Sequence, residues 1–228
     1  ELADFSAERL RVNALLADAG LEPISDVELV AARLYTGPMA DKYECVLRGS
    51  ARYVQPLRVL EASIEQLCMG NLYVHTLHAL ERAIHKLSCV SRATKLYRAT
   101  CLRHVPAEFL QEDASLVRGG VEFPALSATA DRVAALQHAS TQELPVVYEL
   151  QCGMHDRGAD LKWLSQYPHE LEYAFPPCTG IELERWRDGR PRRYVDGDSV
   201  VLLVRPCVAG AARGGRDKPR SSLHRPSS

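Results

Sequence analysis

The chain has 228 residues, 46% of them hydrophobic, and carries 28 basic against 29 acidic side chains. That is enough for one large domain or two small ones with a real core. The balanced charge leaves no basic footprint for nucleic acid, and no apolar run reaches the roughly 18 residues a membrane span needs.

The first ninety residues or so read as helical. Phe5, Leu10, Val12, Leu15 and Leu16 can share a broad stripe, and Gly20 ends that helix. Asp26 is the expected N-cap of a helix over 27–35, which Gly37-Pro38 stops. A third helix is expected over 39–47, closing at Gly49, and a fourth near 59–67. Cys68-Met69-Gly70 separates the latter from the clearest helix, 71–87. There Tyr73, Leu77, Leu80, Ile84 and Leu87 recur at alternating steps of four and three. His75, His78 and His85 share this helix and read as a solvated face, because no third ligand cluster follows.

From there the pattern changes to strands. They are expected at 95–101, 122–129 (interrupted by Pro124), 144–151, 170–175 and 181–187. A hairpin of 193–195 and 199–204 turns at Asp196-Gly197. Short helices fit 107–112 and 132–139, the second capped by Asp131, and 156–160 reads as a loop with too few spaced carboxylates for calcium. Helices first and strands afterwards argue for an α+β fold with a mostly antiparallel sheet. The expected division is a helical lead-in over 1–91, a β core over 92–207 and a disordered basic tail over 208–228. Seven scattered cysteines with no Cys-x-x-Cys pair argue against a zinc site and read mostly as buried thiols. They favour a reducing, intracellular setting, although no segment identifies a compartment. There is no charged-then-apolar leader, and the chain begins at Glu1 rather than Met, as a processed or excised piece does.

Three polar stations stand out. Arg98, within Leu96-Tyr97-Arg98-Ala99-Thr100, fits either a surface-facing strand position or a fixed guanidinium that grips a phosphate or carboxylate. Ser127 and Thr129 follow Gly119-Gly120-Val121-Glu122-Phe123, and their i, i+2 spacing puts both hydroxyls on one strand face. The third is Tyr167-Pro168-His169-Glu170-Leu171-Glu172-Tyr173-Ala174-Phe175-Pro176-Pro177. It reads as a short strand that holds Glu170 and Glu172 on one face, an unfavourable pairing unless a cation or a proton relieves it. Each station alone is also explained by an ordinary polar strand face.

Taken in order, Leu-Tyr-Arg, then Ser-x-Thr after Gly-Gly-x-x-Phe, then Glu-x-Glu before aromatic-Pro-Pro resembles the arginine-specific mono-ADP-ribosyltransferases of the toxin-like branch. The resemblance extends over about 34–206 and includes Tyr35-Thr36-Gly37-Pro38, Tyr43 and Val46-Leu47-Arg48-Gly49. It implies a split β-sandwich with an NAD cleft, NAD as substrate without a metal, and transfer of ADP-ribose to an arginine-bearing protein with release of nicotinamide. It implies that Arg98 holds the NAD phosphates and ribose. The backbone at Ala99, where family members often carry Gly, would pair with the nicotinamide amide. Ser127 would bond the nicotinamide ribose and position Glu172, and Thr129 would support the cleft. Glu172 matches the catalytic carboxylate, and Glu170 the one that goes with arginine as acceptor. Tyr167 and Trp163 lie on the loop that meets cofactor or acceptor in the family, while Trp163 and Phe123 also fit core packing. An NAD glycohydrolase would use the same residues, and an inactive NAD-binding module is the rival of another class. The polymerase branch carries His where Arg98 stands.

Overall fold

The structure, a computed structural model, describes residues 2–50, 65–93, 95–100, 105–113, 117–141, 145–167 and 169–208. Most of the helix expected at 59–67, Cys101, Leu144 and the tail from 209 onward lie outside the described residues.

Helix α1 (Leu2–Asp18) stops where Gly20 takes a φ of 72°. Val12 and Leu16 are buried, but Leu10 is 71% exposed. It sits two residues from Val12, about 200° around the helix, and so leaves the expected stripe. Helix α2 (Asp26–Tyr35) is capped by Ser25 rather than Asp26. The Glu28 amide donates to Ser25 Oγ and the Ser25 amide donates to the Glu28 carboxylate, a reciprocal box that Asp26 could not close. Helix α3 (Met39–Ser50) runs straight through Gly49. Helix α4 (Val74–Val90) starts later than expected because Tyr73 takes a left-handed φ of 47°, its amide donating to Asn71 Oδ1. Its Leu80, Ala83, Ile84 and Leu87 are buried against α1 and α2, while His75, His78 and His85 face solvent. Within this helical layer the buried Glu28 carboxylate accepts from Arg82 and Lys86. Among the described residues no helix is long and apolar enough to cross a membrane.

The remaining elements, in order, are β1 (Lys95–Thr100), α5 (Ala107–Leu110), β2 (Gly119–Glu122), β3 (Leu126–Thr129), α6 (Arg132–Ser140), β4 (Val146–Gln151), β5 (Ala159–Asp160), β6 (Glu172–Phe175), β7 (Thr179–Leu183), β8 (Arg193–Asp196) and β9 (Ser199–Cys207). Among the described residues the strands lie in the order β2-β7-β9-β4-β1-β3-β6-β5, with β8 on β9. The pairing is antiparallel except for β4 with β9. The expected α+β fold with a helical lead-in is the one observed.

Three details differ from expectation, each for a local reason. The single strand expected over 122–129 is two strands, because buried Pro124 has no N–H for a ladder. β2 pairs with β7 at one edge of the sheet, and β3 pairs with β6 far across it. Strand β6 begins at Glu172, so Glu170 stands on the turn before it, where its amide donates to the Tyr167 carbonyl. The two-residue strand β5 pairs with β6 where only a loop was expected.

The ladder is thin at one place. β1 and β4 share six residue pairs, whereas β1 and β3 share only Tyr97 with Thr129. The sheet parts there, which makes it a split sheet. One core fills the helical layer and reaches Ala125, Leu161, Leu164 and Ala174. A second covers the inner sheet face, with Phe109 stacked on Tyr148 at 5.6 Å. A third seats Ala135 and Ala139 of α6 on Val147 and Val201.

Candidate active site

Where β1 and β3 part, a cleft of about 390 Å³ opens. Its walls carry Arg98 and Ala99 of β1, Ser127 and Thr129 of β3, and Glu170 and Glu172 around the start of β6. The register explains the convergence. Thr129 stands directly opposite Glu172 and Ser127 opposite Ala174, so on one sheet face Ser127 lies diagonal to Glu172. Ser127 Oγ donates to Glu172 Oε1 at 3.3 Å, a long hydroxyl bond. Arg98 Nη1 donates to the Ser127 carbonyl at 2.6 Å. The Thr129 hydroxyl accepts from the Asp131 amide, and Asp131 in turn caps α6 through the amides of Val133 and Ala134.

Glu172 is the electrostatic centre. Burial and then the charge of Glu170 push its carboxyl up from 4.5 to about 7, and the Ser127 hydroxyl opposes them only in part. Its second oxygen, Oε2, is buried and has no hydrogen-bond partner among the described residues. Buried polar atoms are normally satisfied, so an orphan at a cleft wall marks a place for a ligand group.

The helical layer sets the site from behind. The Tyr35 hydroxyl, at the end of α2, donates to the Ala125 carbonyl just before β3. Burial pushes that phenol well above its ordinary range. The Gln166 amide donates to Thr36 Oγ1, Gln166 Nε2 donates to the Arg33 carbonyl, and Arg33 Nη1 donates to the Leu164 carbonyl. One helix end thus clamps both the approach to Ser127 and the loop that leads to Glu170 and Glu172.

Three aromatic candidates stand elsewhere. Tyr167 is not on the cleft wall; its ring is 41% exposed and meets His169 edge-on at 6.3 Å. His169 lines the cleft instead. Trp163 packs on Phe5 of α1 at 5.6 Å, on the helical side. Phe123 is half-buried and does not line the cleft. Conversely, Tyr97, Asp131, Ala134, Ala135, His138 and His169 do line it. The α6 members recur at the helical spacing i, i+3, i+4, i+7 from Asp131, a signal the sequence carries, with two alanines leaving the space open. A second hollow of about 440 Å³ lies beside Tyr173, on the side of β6 away from Glu172. It contains none of the motif residues, and Lys162 and Asp160 at its wall are already paired with each other.

The chain has the fold of the ADP-ribosyltransferases. Solved structures similar to it include the Vis toxin, an ADP-ribosyltransferase from Vibrio splendidus, with a TM-score of 0.58 at 16% identity over 93% of this chain and 85% of that one. A complex of Vis with agmatine gives 0.51 at 15% identity, over 84% and 79%. A substituted eukaryotic mono-ADP-ribosyltransferase ART2.2 in complex with NADH gives 0.50 at 16%, over 90% and 77%. At these identities the likeness is one of fold. No protein-family model and no curated protein sequence matches the chain.

Proposed function

We propose that this protein transfers ADP-ribose from NAD to the arginine side chain of a protein acceptor and releases nicotinamide. The observation that carries the reading is the convergence of Arg98, Ser127, Glu170 and Glu172 on one cleft at the parting of β1 and β3. Vis has been solved with agmatine, an amine that ends in a guanidinium, and ART2.2 with NADH; both share this fold and support the reading.

The residues present fit a dinucleotide. Arg98 offers a planar fork of donors for a diphosphate, and the orphaned Glu172 Oε2 can accept from a ribose hydroxyl. NAD supplies a ribose carbon whose bond to nicotinamide breaks with positive charge building on the sugar. Glu172, when ionised, stabilises that charge, and its low-polarity setting strengthens the effect. Ser127 holds one Glu172 oxygen and leaves the other to the ligand. Glu170, on the turn before β6, orients the acceptor guanidinium and takes the proton it loses on attack.

The test is incubation with labelled NAD and agmatine or poly-arginine. Glu172→Ala should abolish both transfer and NAD hydrolysis. Glu170→Gln should suppress transfer while sparing much of the hydrolysis. Equal labelling by wild type and Glu172→Ala overturns the mechanism. Arginine modification that survives Glu170→Gln overturns the acceptor assignment. Calorimetric binding of NAD without nicotinamide release would make the protein a binding module.

A further inference from the structure

Away from the cleft, two cysteines distant in sequence meet. Cys68 is 2% exposed, and its Sγ lies 3.7 Å from the Lys42 carbonyl of α3. Cys45 is one turn further along the same helix. Helical side chains lean back towards the N-terminus, so the Cys45 thiol projects over the turn that carries that carbonyl. Both thiols are free, and the Lys42 contact sets Cys68 against the helix turn that ends at Cys45. The contact is fixed from both sides. Tyr43 of α3 meets Tyr73 edge-on at 5.6 Å, and the turn after Cys68 is held by the Met69 amide on Glu65 and the Asn71 amide on Cys68.

We propose that Cys45 and Cys68 are a disulfide-forming pair, a redox clip that ties α3 to the turn before α4. Cys45 is half-exposed and Cys68 is buried, so the order of events follows from access. The Cys45 thiolate attacks a sulfur of a low-molecular-weight disulfide such as oxidised glutathione. A mixed disulfide forms on Cys45 and one glutathione thiolate leaves. The Cys68 thiolate then attacks the Cys45 sulfur and expels the second glutathione. Two protein thiols thereby lose two hydrogens, and one glutathione disulfide becomes two thiols. Burial pushes the Cys45 thiol up, so the exchange is slow at neutral pH and is best followed under mildly alkaline conditions. Once closed, the clip braces α3, whose Arg48 reaches Glu122 of β2 at 3.0 Å.

The experiment exposes the folded chain to oxidised glutathione, alkylates the remaining thiols and maps the peptides by mass. A peptide pair joined through Cys45 and Cys68 should dominate over any linkage to Cys89, Cys101, Cys152, Cys178 or Cys207. It should vanish on reduction and in Cys45→Ser and Cys68→Ser. The melting temperature of the oxidised wild type should rise by several degrees and fall back on reduction. A stable glutathione adduct on Cys45 with Cys68 still a thiol overturns the proposal. So does an equal yield of the linked pair in urea-unfolded chain, since that linkage would not come from the folded contact. The mapping in wild type stands even if a serine variant folds poorly, and it does not depend on the catalytic reading.

Discussion

Replacing Glu172 with Gln should stabilise this protein, and the gain should depend on pH in a defined sense. Burial and the neighbouring charge of Glu170 raise the folded carboxyl from 4.5 to about 7. Below 4.5 the group is protonated in both the folded and the unfolded chain, so its ionisation costs nothing. Between 4.5 and about 7 folding must take up a proton, and above about 7 it must bury a charge. Wild type therefore loses stability across that window and regains none above it. A shift of this size corresponds to about 3 kcal/mol at the upper plateau. Gln has nearly the same shape, does not titrate, and can still accept from Ser127 Oγ. Urea unfolding followed at about pH 4 and about pH 8 reads the difference directly. The two proteins should have similar midpoints at the lower pH, and the variant should be clearly more stable at the higher. A variant no more stable at the higher pH, or equally favoured at both, would refute the claim that Glu172 is held charged against its environment.

On the proposed function the same carboxyl would govern activity, since only its ionised form stabilises positive charge. Initial rates of NAD cleavage should rise about tenfold between roughly pH 6 and pH 8, and Glu170→Gln should move the rise to lower pH by removing a repelling charge; a flat profile would falsify the assignment. Glu28 carries the opposite sign. Burial pushes it up, but bonds from Lys86, the Ser25 amide and Arg82 outweigh that and hold it at about 2 rather than 4.5. Its contribution of about 3 kcal/mol is present above 4.5 and is lost as pH falls towards 2. Glu28→Gln should cost a similar amount at neutral pH, read by denaturant unfolding, and nearly nothing at the acid end. Gly119 has a φ of 142°, and a Cβ there would overlap the Ile181 carbonyl of the strand paired with it. Gly119→Ala should cost more than about 2 kcal/mol, or free β2 from β7 so that its amides exchange rapidly.

The helical half could be read closely because amphipathic spacing reports burial directly. Leu80, Ile84 and Leu87 lie where their period puts them. The errors fall on boundaries decided by backbone geometry that side-chain type does not specify, such as the left-handed Tyr73 that delays α4. Strand assignment failed where one hydrophobic run serves two distant parts of the sheet. Residues 122–129 read as one strand interrupted at Pro124, yet β2 goes to β7 and β3 to β6. Pairing partners are a long-range property, and short strands carry little information about them. The candidate cleft was legible by motif in one respect: Arg98, Ser127, Thr129, Glu170 and Glu172 all line it. The α6 wall was not, because Ala134 and Ala135 look like helix filler. Their smallness is what keeps the cleft open.

The parting of the sheet and the chemistry of the cleft have one cause. With a single residue pair between β1 and β3, the Ser127 carbonyl is bonded by a side chain, Arg98, in place of a neighbouring strand. A guanidinium has five N–H donors in one plane, so it can close that carbonyl and still face an anion in the cleft. A lysine could hold one of the two but could not present a fork to the other. Glu172 has Ser127 on one oxygen and, among the described residues, no partner on the other. A fully zipped ladder would satisfy the backbone and shut the cleft. Here the layer behind the sheet, through Tyr35 and the α2 end, holds β3 and the 164–167 loop in place without that ladder. The helical lead-in is thus what allows the sheet to remain open along the cleft.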